Sequence, residues 1–379
     1  MANTDRTADV AIVGAGIIGL AHAQEAARRG YRVVVFERHP RAVGASVRNF
    51  GMVRPIGSAP GRMHDIALRS REGWMEAARW AGFWHDPVGS MTVAYHDDEQ
   101  AVLEEFAREA QQRGYECTLL DAAGVMEHTR AVQPGGLRGG LWSPLDVIVD
   151  PREAVAALPQ YLEAEHGVRF LFGTPVTAVE LPHIQAGGQT WTADRVVVCC
   201  GAEFETLYPQ VLAESGITRC KLQMMRTEPQ PGGWRMGPML MTGLSLRHRA
   251  AFAVCPTLPE LRHRVGRDHP DLDRFGIDIL ISQNGLGELT IGDSHEYGLS
   301  PEPFDNPEID RLILEQVGAF LAAPSLRIAQ RWHGVYAKHF NMELMEFRPE
   351  PNVRIILGPS GAGMTTAFGL PHYTFAEWN

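Results

Sequence analysis

The feature that most constrains the fold is a glycine-rich turn near the N-terminus, placed between an apolar segment and a helical pattern. Residues 9–13 predict a buried strand, and the turn GAGIIG over residues 14–19 leads into a helix that Gly30 ends. A second strand is predicted over residues 32–36, directly before Glu37. A strand, glycine turn, helix and strand in this order are typical of a Rossmann unit that binds a dinucleotide.

The glycines of the turn have separate predicted roles. Gly14 allows the tight turn, Gly16 lets the backbone approach a pyrophosphate, and Gly19 lets the helix pack closely against the strand. The pyrophosphate would face the free amides at the helix N-terminus. We therefore assign this part of the cofactor site to Gly14, Gly16, Ile17, Ile18 and Gly19.

Glu37 is predicted to bind the two hydroxyl groups of the adenosine ribose. It follows Gly19 by 18 residues, which is the spacing expected of such an acid. Its charge would repel a ribose phosphate and so disfavours NADP. The neighbouring Arg38 is included in the cofactor-binding set.

Three later segments favour FAD over NAD: VGASVRNFGMVRP at residues 43–55, ADRVVVCCGAEF at 193–204, and IILGPSGAGMTT at 355–366. With them the chain resembles the superfamily of D-amino-acid oxidase, glycine oxidase and sarcosine oxidase, from residue 9 to about residue 369. The resemblance implies that the first segment lies beside the isoalloxazine and that the second returns to the FAD domain. A short helix near Met364 would then face the pyrimidine edge of the flavin, where its amides stabilise negative charge on the reduced ring.

The resemblance also implies which residues hold FAD beyond the N-terminal unit, with Val176 touching adenine through its backbone. The implied residues are Ser46, Arg48, Asn49, Gly51, Met52, Val176, Gly201, Gly358, Gly361, Gly363, Met364 and Thr365.

The predicted fold class is α/β (α+β), with a Rossmann-type, glutathione-reductase-like FAD-binding domain and a substrate domain built on an antiparallel sheet. The FAD-binding domain is assigned to residues 1–85, 145–212 and 325–379, and the substrate domain to residues 86–144 and 213–324. Strands of the substrate domain are predicted over residues 219–228, 249–255 and 276–291, and loops over residues 229–233 and 258–270.

Composition limits the classes of partner. The formal net charge of −10 argues against nucleic-acid binding, although a local arginine pocket can still bind an anionic substrate. The five cysteines show no metal-type spacing and are expected to be buried core residues in a reducing cytosol. The polar first nine residues do not resemble a signal peptide, and no apolar run reaches membrane-spanning length. These features predict a soluble, cytoplasmic protein without a metal site.

The segment QRWHGVYAKHF, residues 330–340, resembles the family strand that runs over the flavin face. By this resemblance, Tyr336 occupies the position at which glycine oxidase and D-amino-acid oxidase carry an arginine that binds the substrate carboxylate. The monomeric sarcosine oxidases also have a tyrosine there. Those sarcosine oxidases attach FAD through a cysteine where this chain has Gly334, so the resemblance implies non-covalent FAD. Their carboxylate-binding lysine matches Thr365, and their oxygen-activating lysine falls near Thr290.

Cationic candidates for a substrate anion remain. Arg54 matches a substrate-facing arginine of the sarcosine oxidases, and Lys338, His339 and the cluster Arg247-His248-Arg249 are further candidates. An ordinary surface role for these charges, and core packing for aromatic side chains of the strand, stay open. The predicted catalytic set is Arg54, Tyr336, Lys338, Trp332 and His248.

The segments RNFGM, QRWHGVYAK and GAGMTTAFGL resemble a subgroup of this superfamily associated with phosphonate catabolism. This resemblance implies oxidation of 2-aminoethylphosphonate or its N-methyl derivative to phosphonoacetaldehyde by hydride transfer to flavin N5, with molecular oxygen as the expected acceptor. A dianionic phosphonate suits several cationic donors, whereas one bidentate arginine suits a planar carboxylate. Pro55 departs from the subgroup, in which an aromatic residue is expected between the arginine and the proline.

Three other functions stay open. The chain is alternatively a glycine, sarcosine or D-amino-acid oxidase, a flavin dehydrogenase that passes electrons to a quinone or protein, or a non-catalytic FAD-binding redox sensor. The sequence leaves open the N-substituent, the electron acceptor and the oligomeric state.

Overall fold

The computed structural model describes residues 6–378. Residues 1–5 and 379, which the sequence assigns to the FAD-binding domain, lie outside the described residues. The strands are, in chain order, β1 (Thr7–Val13), β2 (Val33–Glu37), β3 (Met52–Val53), β4 (His85–Asp86), β5 (Ser90–Ala94), β6 (Thr118–Asp121), β7 (Gly139–Ser143), β8 (Val147–Val149), β9 (Arg169–Phe172), β10 (Val176–Glu180), β11 (His183–Ala186), β12 (Gln189–Val198), β13 (Thr218–Thr227), β14 (Met239–Thr242), β15 (Leu280–Gln283), β16 (Leu289–Gly292), β17 (Glu296–Gly298), β18 (Ile328–Lys338), β19 (Met345–Phe347) and β20 (Val353–Gly358). The α-helices are α1 (Ile17–Arg28), α2 (Arg62–Ala81), α3 (Asp97–Ala110), α4 (Ala122–His128), α5 (Pro151–His166), α6 (Pro209–Glu214), α7 (Leu258–Asp268), α8 (Pro270–Arg274), α9 (Pro307–Phe320), α10 (Gly363–Thr366) and α11 (Leu370–Ala376).

The first sheet contains the N-terminal unit. Its strands follow the order β10-β11-β12-β1-β2-β9, with β20 paired to β12 and β19 to β20. Strand β1 runs parallel to both β2 and β12, and its residues Val10, Ala11 and Ile12 have no exposed surface. Such continuous apolar strands are expected where both faces of a parallel sheet are covered. The predicted Rossmann-type architecture and fold class are confirmed.

The second sheet is mostly antiparallel and has nine strands. Eight of them follow the order β17-β13-β16-β15-β14-β5-β7-β6, and β18 pairs with β13. The pairing of β13 with β18 extends from Thr218 opposite Lys338 to Thr227 opposite Ile328. Strand β18 therefore lies in this sheet, although the sequence placed residues 325–379 in the FAD-binding domain.

Three predicted elements of the second domain differ from the structure. Residues 249–255 were predicted to form a strand, but Ala250–Val254 form a 3₁₀ turn that buries Phe252 against Phe106, with ring centroids 4.6 Å apart. Residues 258–270 were predicted to be a loop, but Leu258–Asp268 are helical because Leu258, Leu261 and Val265 share one buried face. Residues 276–291 do not form one strand, since β15 and β16 pair there as a hairpin.

A small third sheet joins the two larger ones. Its order is β3-β8-β4, and Met52 and Ile148 from it pack against residues of β14 and β15. This sheet fixes the start of the loop that follows β3 and the end of the loop that precedes β8. Both loops carry charged residues of the site described below.

The cysteines differ in burial from the expectation. Cys199, Cys220 and Cys255 are buried, but Cys117 and Cys200 are only half-buried, and all five are free thiols.

No helix within residues 6–378 combines the length and the apolar character needed to cross a bilayer.

Candidate active site

A cleft of about 1090 Å³ is lined by residues of both large sheets. On one side it follows the loops after the carboxyl ends of β1, β2, β12 and β20, and on the other it reaches β18 and residues 247–250 and 293–297. Ligands of open parallel sheets bind outside the carboxyl ends of the strands. Since single small-molecule sites are typically ~300–1,000 Å³, this cleft has room for a dinucleotide with a small substrate.

Close packing explains two of the glycines in the N-terminal turn. Gly14 has a φ of +103°, and a β-carbon there would lie 2.4 Å from the carbonyl oxygen of Cys199. A β-carbon at Gly19 would lie 2.0 Å from the carbonyl oxygen of Gly14. Gly14 borders the cleft, whereas Gly19 lies behind it and brings α1 against β1.

The start of α1 offers backbone amides to the cleft. Gly16 is the N-cap residue, and a β-carbon there would lie 3.0 Å from the hydroxyl oxygen of Ser46. The amide of Ile17 donates a hydrogen bond of 2.9 Å to that hydroxyl. A substituent at Gly16 would therefore fill the space in front of the helix amides. This cradle of small residues fits a pyrophosphate.

Glu37 ends β2 with its side chain 9% exposed. One carboxylate oxygen accepts a hydrogen bond of 3.0 Å from the amide of Ala15, and the other accepts one of 3.0 Å from the amide of His39. These bonds leave further lone pairs for ribose hydroxyls, because an ionised carboxylate offers about four acceptor sites. Arg38 points to a different partner and forms an ion pair of 2.9 Å with Glu203.

The segment after β2 is held by its own side chains. The Asn49 amide donates to the carbonyl oxygens of Ala45 (2.9 Å) and Ser46 (3.0 Å), and its oxygen accepts a bond of 2.7 Å from the amide of Gly51. A β-carbon at Gly51 would lie 1.9 Å from the carbonyl oxygen of Val149. Arg48 donates to the carbonyl oxygen of His333 over 3.2 Å, which ties this segment to β18.

The loop after β20 is fixed by two long-range hydrogen bonds. The Trp74 indole donates to the carbonyl oxygen of Met364 over 2.7 Å, and the backbone amide of Arg54 donates to the Thr365 hydroxyl over 3.1 Å. The helix predicted near Met364 is the single turn α10. These bonds bring the C-terminal glycine loop beside the segment that carries Arg54.

Most of the sequence-predicted cofactor residues line this one cleft. They are Gly14, Gly16, Ile17, Ile18, Glu37, Arg38, Ser46, Arg48, Asn49, Met52, Val176, Gly201, Gly361, Gly363, Met364 and Thr365. Gly19, Gly51 and Gly358 do not line it and act through the backbone geometry of the adjoining turns. The turn, the acid and the glycine loops fit FAD together, and the assignment of individual contacts stays a prediction.

Arg54 is buried at the cleft, with 6% of its surface exposed. Its Nε lies 3.6 Å from an oxygen of the fully buried Asp146, which also accepts a hydrogen bond of 2.6 Å from the Ser90 hydroxyl. Burial, together with the positive charge of Arg249, lowers the pKa of Arg54 to about 10, although Asp146 opposes the shift. Arg54 therefore stays cationic at neutral pH and has a second arginine nearby.

Arg249 contributes a second guanidinium group near Arg54. The part of the cleft lining that contains Arg54, His248, Arg249 and Asp293 is called the wall below. Arg249 forms an ion pair of 2.5 Å with the fully buried Asp278, which also accepts a short hydrogen bond from the Ser245 hydroxyl. Burial is the largest influence on the pKa of Asp278 and raises it, but the neighbouring groups, of which Arg249 has the largest effect, together outweigh burial, so the net shift is downward to about 2. Arg247 also has an ion-pair partner, Asp273 at 3.0 Å, and it donates a further hydrogen bond to the carbonyl oxygen of Ile277.

Two of the three predicted residues of β18 line the cleft, and the third, Trp332, lies outside it and is partly buried. Tyr336 and Lys338 line the cleft. Burial raises the pKa of Tyr336 and lowers that of Lys338. Lys338 Nζ lies 5.4 Å from the Phe340 ring centroid, and within residues 6–378 it has no carboxylate within 4.0 Å. Trp332 does not line the cleft, and its ring centroid lies 5.2 Å from the guanidinium carbon of Arg152 and 5.9 Å from that of Arg226.

His248 lines the cleft and stacks on His295, with ring centroids 4.9 Å apart and an angle of 18° between the planes. Burial lowers the pKa of His248 to about 3. His295 also has a lowered pKa, mainly from burial, and its Nδ1 lies 2.8 Å from the carbonyl oxygen of Gly276. Both rings are therefore neutral and add no charge to the wall.

Sequence reasoning missed the carboxylates of the site, Asp146, Asp278 and Asp293. Asp146 stands in the apolar run PLDVIV, and a lone acid in such a run signals a buried partner. Asp278 and Asp293 stand in no motif, and only the pairing of their backbones in the folded sheet brings them together.

The family described as DAO, FAD dependent oxidoreductase, matches residues 9–374. One component of the anaerobic glycerol-3-phosphate dehydrogenase of Escherichia coli (strain K12) is 30% identical over 217 residues, which cover 56% of this chain. The match spans only 38% of that relative, so the chain corresponds to less than half of its length.

Two solved structures share the fold. Glycine oxidase from Geobacillus kaustophilus superimposes with a TM-score of 0.77 at 19% identity, covering 99% of this chain and 95% of the other. The dithionite-reduced L-alpha-glycerophosphate oxidase from Mycoplasma pneumoniae, with FAD bound, gives a TM-score of 0.76 at 17% identity, covering 97% and 94%. The fold described above is thus shared with these two oxidases.

Proposed function

We propose that this chain, which belongs to the DAO family of FAD dependent oxidoreductases, oxidises a small amine that carries a phosphonate group. The proposed substrates are 2-aminoethylphosphonate and its N-methyl derivative. The proposed products are phosphonoacetaldehyde, ammonia or methylamine, and hydrogen peroxide where oxygen is the acceptor. When bound, FAD would serve as the electron acceptor and take a hydride from the substrate carbon next to nitrogen.

The observation that carries the proposal is a pair of guanidinium groups on one wall of the cleft. Arg54 and Arg249 both line it, and the Nε of each is buried without a hydrogen-bond partner among the described residues. Lys338 adds a third cation, which has no carboxylate within 4.0 Å among residues 6–378. Several cationic donors suit the tetrahedral, dianionic phosphonate better than a planar carboxylate.

In this proposal the residues of the chain bind and orient the substrate. Arg54 and Arg249 hold the phosphonate, and their buried partners Asp146 and Asp278 keep both side chains in place. Tyr336, which is partly buried and has a raised pKa, forms a neutral surface at the position where related oxidases carry an arginine. Binding the head group away from the reacting carbon orients the carbon–hydrogen bond, which is the main protein contribution to such a reaction.

A second candidate is a phosphate-bearing alcohol as substrate. Two of the three compared proteins are named for a glycerol phosphate, which also carries a dianion. Glycine oxidase, the third, is named for a carboxylate amine. The cationic wall is compatible with the phosphate ester, so the reacting group must be tested separately from the anion.

Anaerobic reduction of the bound flavin distinguishes these substrates. The holoenzyme is mixed without oxygen with 2-aminoethylphosphonate, its N-methyl derivative, glycine, sarcosine, D-alanine or glycerol 3-phosphate, and flavin absorbance is followed over time. We expect one of the two aminophosphonates to bleach the flavin fastest. Faster bleaching by a carboxylate amine or by glycerol 3-phosphate would overturn the proposed substrate, and bleaching by none would favour a sensor.

The electron acceptor is tested on the reduced protein. Rapid reoxidation by dissolved oxygen with stoichiometric hydrogen peroxide is the expected result for an oxidase. Slow reaction with oxygen but fast reaction with a soluble quinone would make the chain a dehydrogenase on the same substrate.

A further inference from the structure

Asp278 and Asp293 face each other across a backbone bridge beside the cleft. The amide of Asp293 donates to the carbonyl oxygen of Asp278 over 2.5 Å, and the amide of Asp278 donates back over 2.9 Å. Asp278 is paired with Arg249, whereas Asp293 has no cation within 4.0 Å among residues 6–378. Asp293 lines the cleft and is 5% exposed. The wall therefore presents a second carboxylate that lacks a counter-ion.

Buried polar atoms without partners are concentrated on this wall. In the described part of the chain ten such side-chain atoms occur, and five belong to Arg54, Asp146, His248, Arg249 and Asp293. Four of these residues line the cleft, and Asp146 is the partner of Arg54. Since buried polar groups are normally hydrogen-bonded, this concentration indicates a polar ligand. The wall offers cationic donors and a carboxylate acceptor together, which matches a ligand with an anionic and a cationic end.

The surroundings of Asp293 make it a stronger base than an ordinary aspartate. Burial and the negative charge of Asp278 raise its pKa well above the usual range, and Arg249 only partly offsets this. The negative charge of Asp293 also acts on three other titratable groups, each of which has a raised pKa and stays neutral: Cys220, Tyr297 and Tyr336. The stacked His248 and His295 are neutral as well.

We propose that Asp293 accepts a proton from the ammonium group of the substrate. This inference rests on the proposed function, since it requires an amine. One N–H bond of the ammonium breaks, its electron pair stays on nitrogen, and the proton binds a carboxylate oxygen of Asp293. The amine is then neutral when its neighbouring C–H bond is oxidised, and the proton returns to solvent after the product leaves. Arg54 and Arg249 bind the other end of the same molecule.

The raised pKa of Asp293 fits this role. An alkyl ammonium has a pKa of about 10, and an unperturbed aspartate is about six decades weaker as a base. Burial beside Asp278 raises the pKa of Asp293 and so reduces its difference from the pKa of the ammonium group. Proton transfer within the complex therefore requires less free energy. The reacting form is ionised Asp293, so flavin reduction in the wild type should rise with pH through the pKa of Asp293. Below that pKa the carboxyl is already protonated and cannot accept the proton.

The first test is the pH dependence of anaerobic flavin reduction by 2-aminoethylphosphonate in Asp293→Asn. The amide cannot take the proton, so the variant depends on the small fraction of neutral amine in solution. General base contributions are typically about 10²–10⁴-fold, so we expect a loss of about 100-fold near neutral pH. The loss should shrink to a few-fold as pH approaches the pKa of the amine. A constant loss at all pH values, or no loss, would overturn the inference.

Two further variants separate chemistry from structure. Asp293→Glu keeps a carboxylate, so the rate of flavin reduction should still rise with pH, although the maximal rate should differ from that of the wild type. Asp97→Asn makes the same change at an aspartate whose side chain is 86% exposed, outside the cleft, and should behave as the wild type. If Asp293→Glu instead loses the pH dependence as Asp293→Asn does, proton acceptance by this carboxylate is refuted.

The second test measures binding to the oxidised holoenzyme without turnover. Perturbation of the flavin spectrum gives the dissociation constants of 2-aminoethylphosphonate and of ethylphosphonate, which lacks the nitrogen. Asp293→Asn should weaken the first at least about tenfold, since hydrogen bonds to a charged group contribute ~1.5–3 kcal/mol, and should leave the second unchanged. Equal weakening of both ligands would show a structural role and overturn the inference.

Failure of the proposed function remains distinguishable. If wild-type flavin is reduced by glycine or sarcosine and not by an aminophosphonate, the substrate assignment fails, and the same pH comparison with that amine tests Asp293. If only glycerol 3-phosphate reduces the flavin, there is no ammonium proton to accept, and both proposals fail.

Discussion

Replacing Arg54 by methionine should remove one arm of the anion site while keeping an unbranched side chain of similar length. Truncating one partner of a buried, hydrogen-bonded charge pair costs about 2–5 kcal/mol. Since 1.4 kcal/mol corresponds to a factor of ten, kcat/KM for 2-aminoethylphosphonate should fall by about 30-fold or more. The FAD content should change little, because Glu37 and the N-terminal glycine turn, which are predicted to hold the ADP half, lie in a different part of the cleft.

The same change has a second effect, on stability. Asp146 is fully buried and has Arg54 as its ion-pair partner, with Nε and Oδ2 3.6 Å apart. Burial already raises the pKa of Asp146, and Arg54 lowers it. Without Arg54 the pKa rises further, and leaving a buried charge unpaired typically costs about 3–5 kcal/mol. Because a raised carboxyl pKa favours the protonated folded form, this loss should be small in acid and grow as pH rises through that pKa.

A double variant separates the two effects. Arg54→Met with Asp146→Asn removes the unpaired charge, so most of the stability at neutral pH should return while substrate oxidation stays low. Thermal unfolding at several pH values measures the first quantity, and anaerobic stopped-flow reduction measures the second. Arg54→Lys should recover part of the rate, since an ammonium supplies the charge without the planar fork. The reasoning is refuted if Arg54→Met reduces the flavin at the wild-type rate, or if the double variant recovers rate and stability together.

Three further predictions concern the cofactor domain. Glu37→Ala should weaken FAD binding to the apoprotein at least about tenfold, because charge-assisted hydrogen bonds contribute ~1.5–3 kcal/mol each; unchanged affinity on titration would exclude the ribose role. Acid precipitation should release intact FAD into the supernatant, since Gly334 replaces the linking cysteine; flavin retained in the pellet would contradict this. Gly19→Ala should lower the unfolding midpoint by several degrees, because its β-carbon would meet the Gly14 carbonyl oxygen at 2.0 Å, whereas Gly318→Ala, with nothing within 4 Å, is the control.

Local sequence patterns were sufficient to predict the Rossmann-type fold of the N-terminal unit. The glycine turn depends on backbone geometry over a short stretch, so residue type and spacing predict it, and the ribose role of Glu37 stays a prediction from spacing. Most of the predicted cofactor residues indeed line one cleft. Trp332 was misplaced because a strand pattern does not say which of its side chains other elements will cover.

The substrate half depends on contacts between distant segments. Asp278 and Asp293 meet only because the segments carrying them pair in the folded sheet, and Asp146 meets Arg54 across the small third sheet. Neither pairing leaves a pattern in a single sequence. The helix over Leu258–Asp268 was missed for a different reason, since its proline and glycine punctuation outweighed the spacing of Leu258, Leu261 and Val265.

The position of β20 has a consequence for how the protein matures during synthesis. Strand β12 is paired in parallel to β1 on one side and to β20 on the other, and the loop after β20 is tied by hydrogen bonds to Trp74 and Arg54. The chain emerges from the ribosome at about 5–20 residues per second, so the early segments exist for many seconds before their partners are made. The part of the cleft formed by the loop after β20 therefore cannot form until residues 353–365 have been made, although the segments that carry Trp74 and Arg54 were made long before.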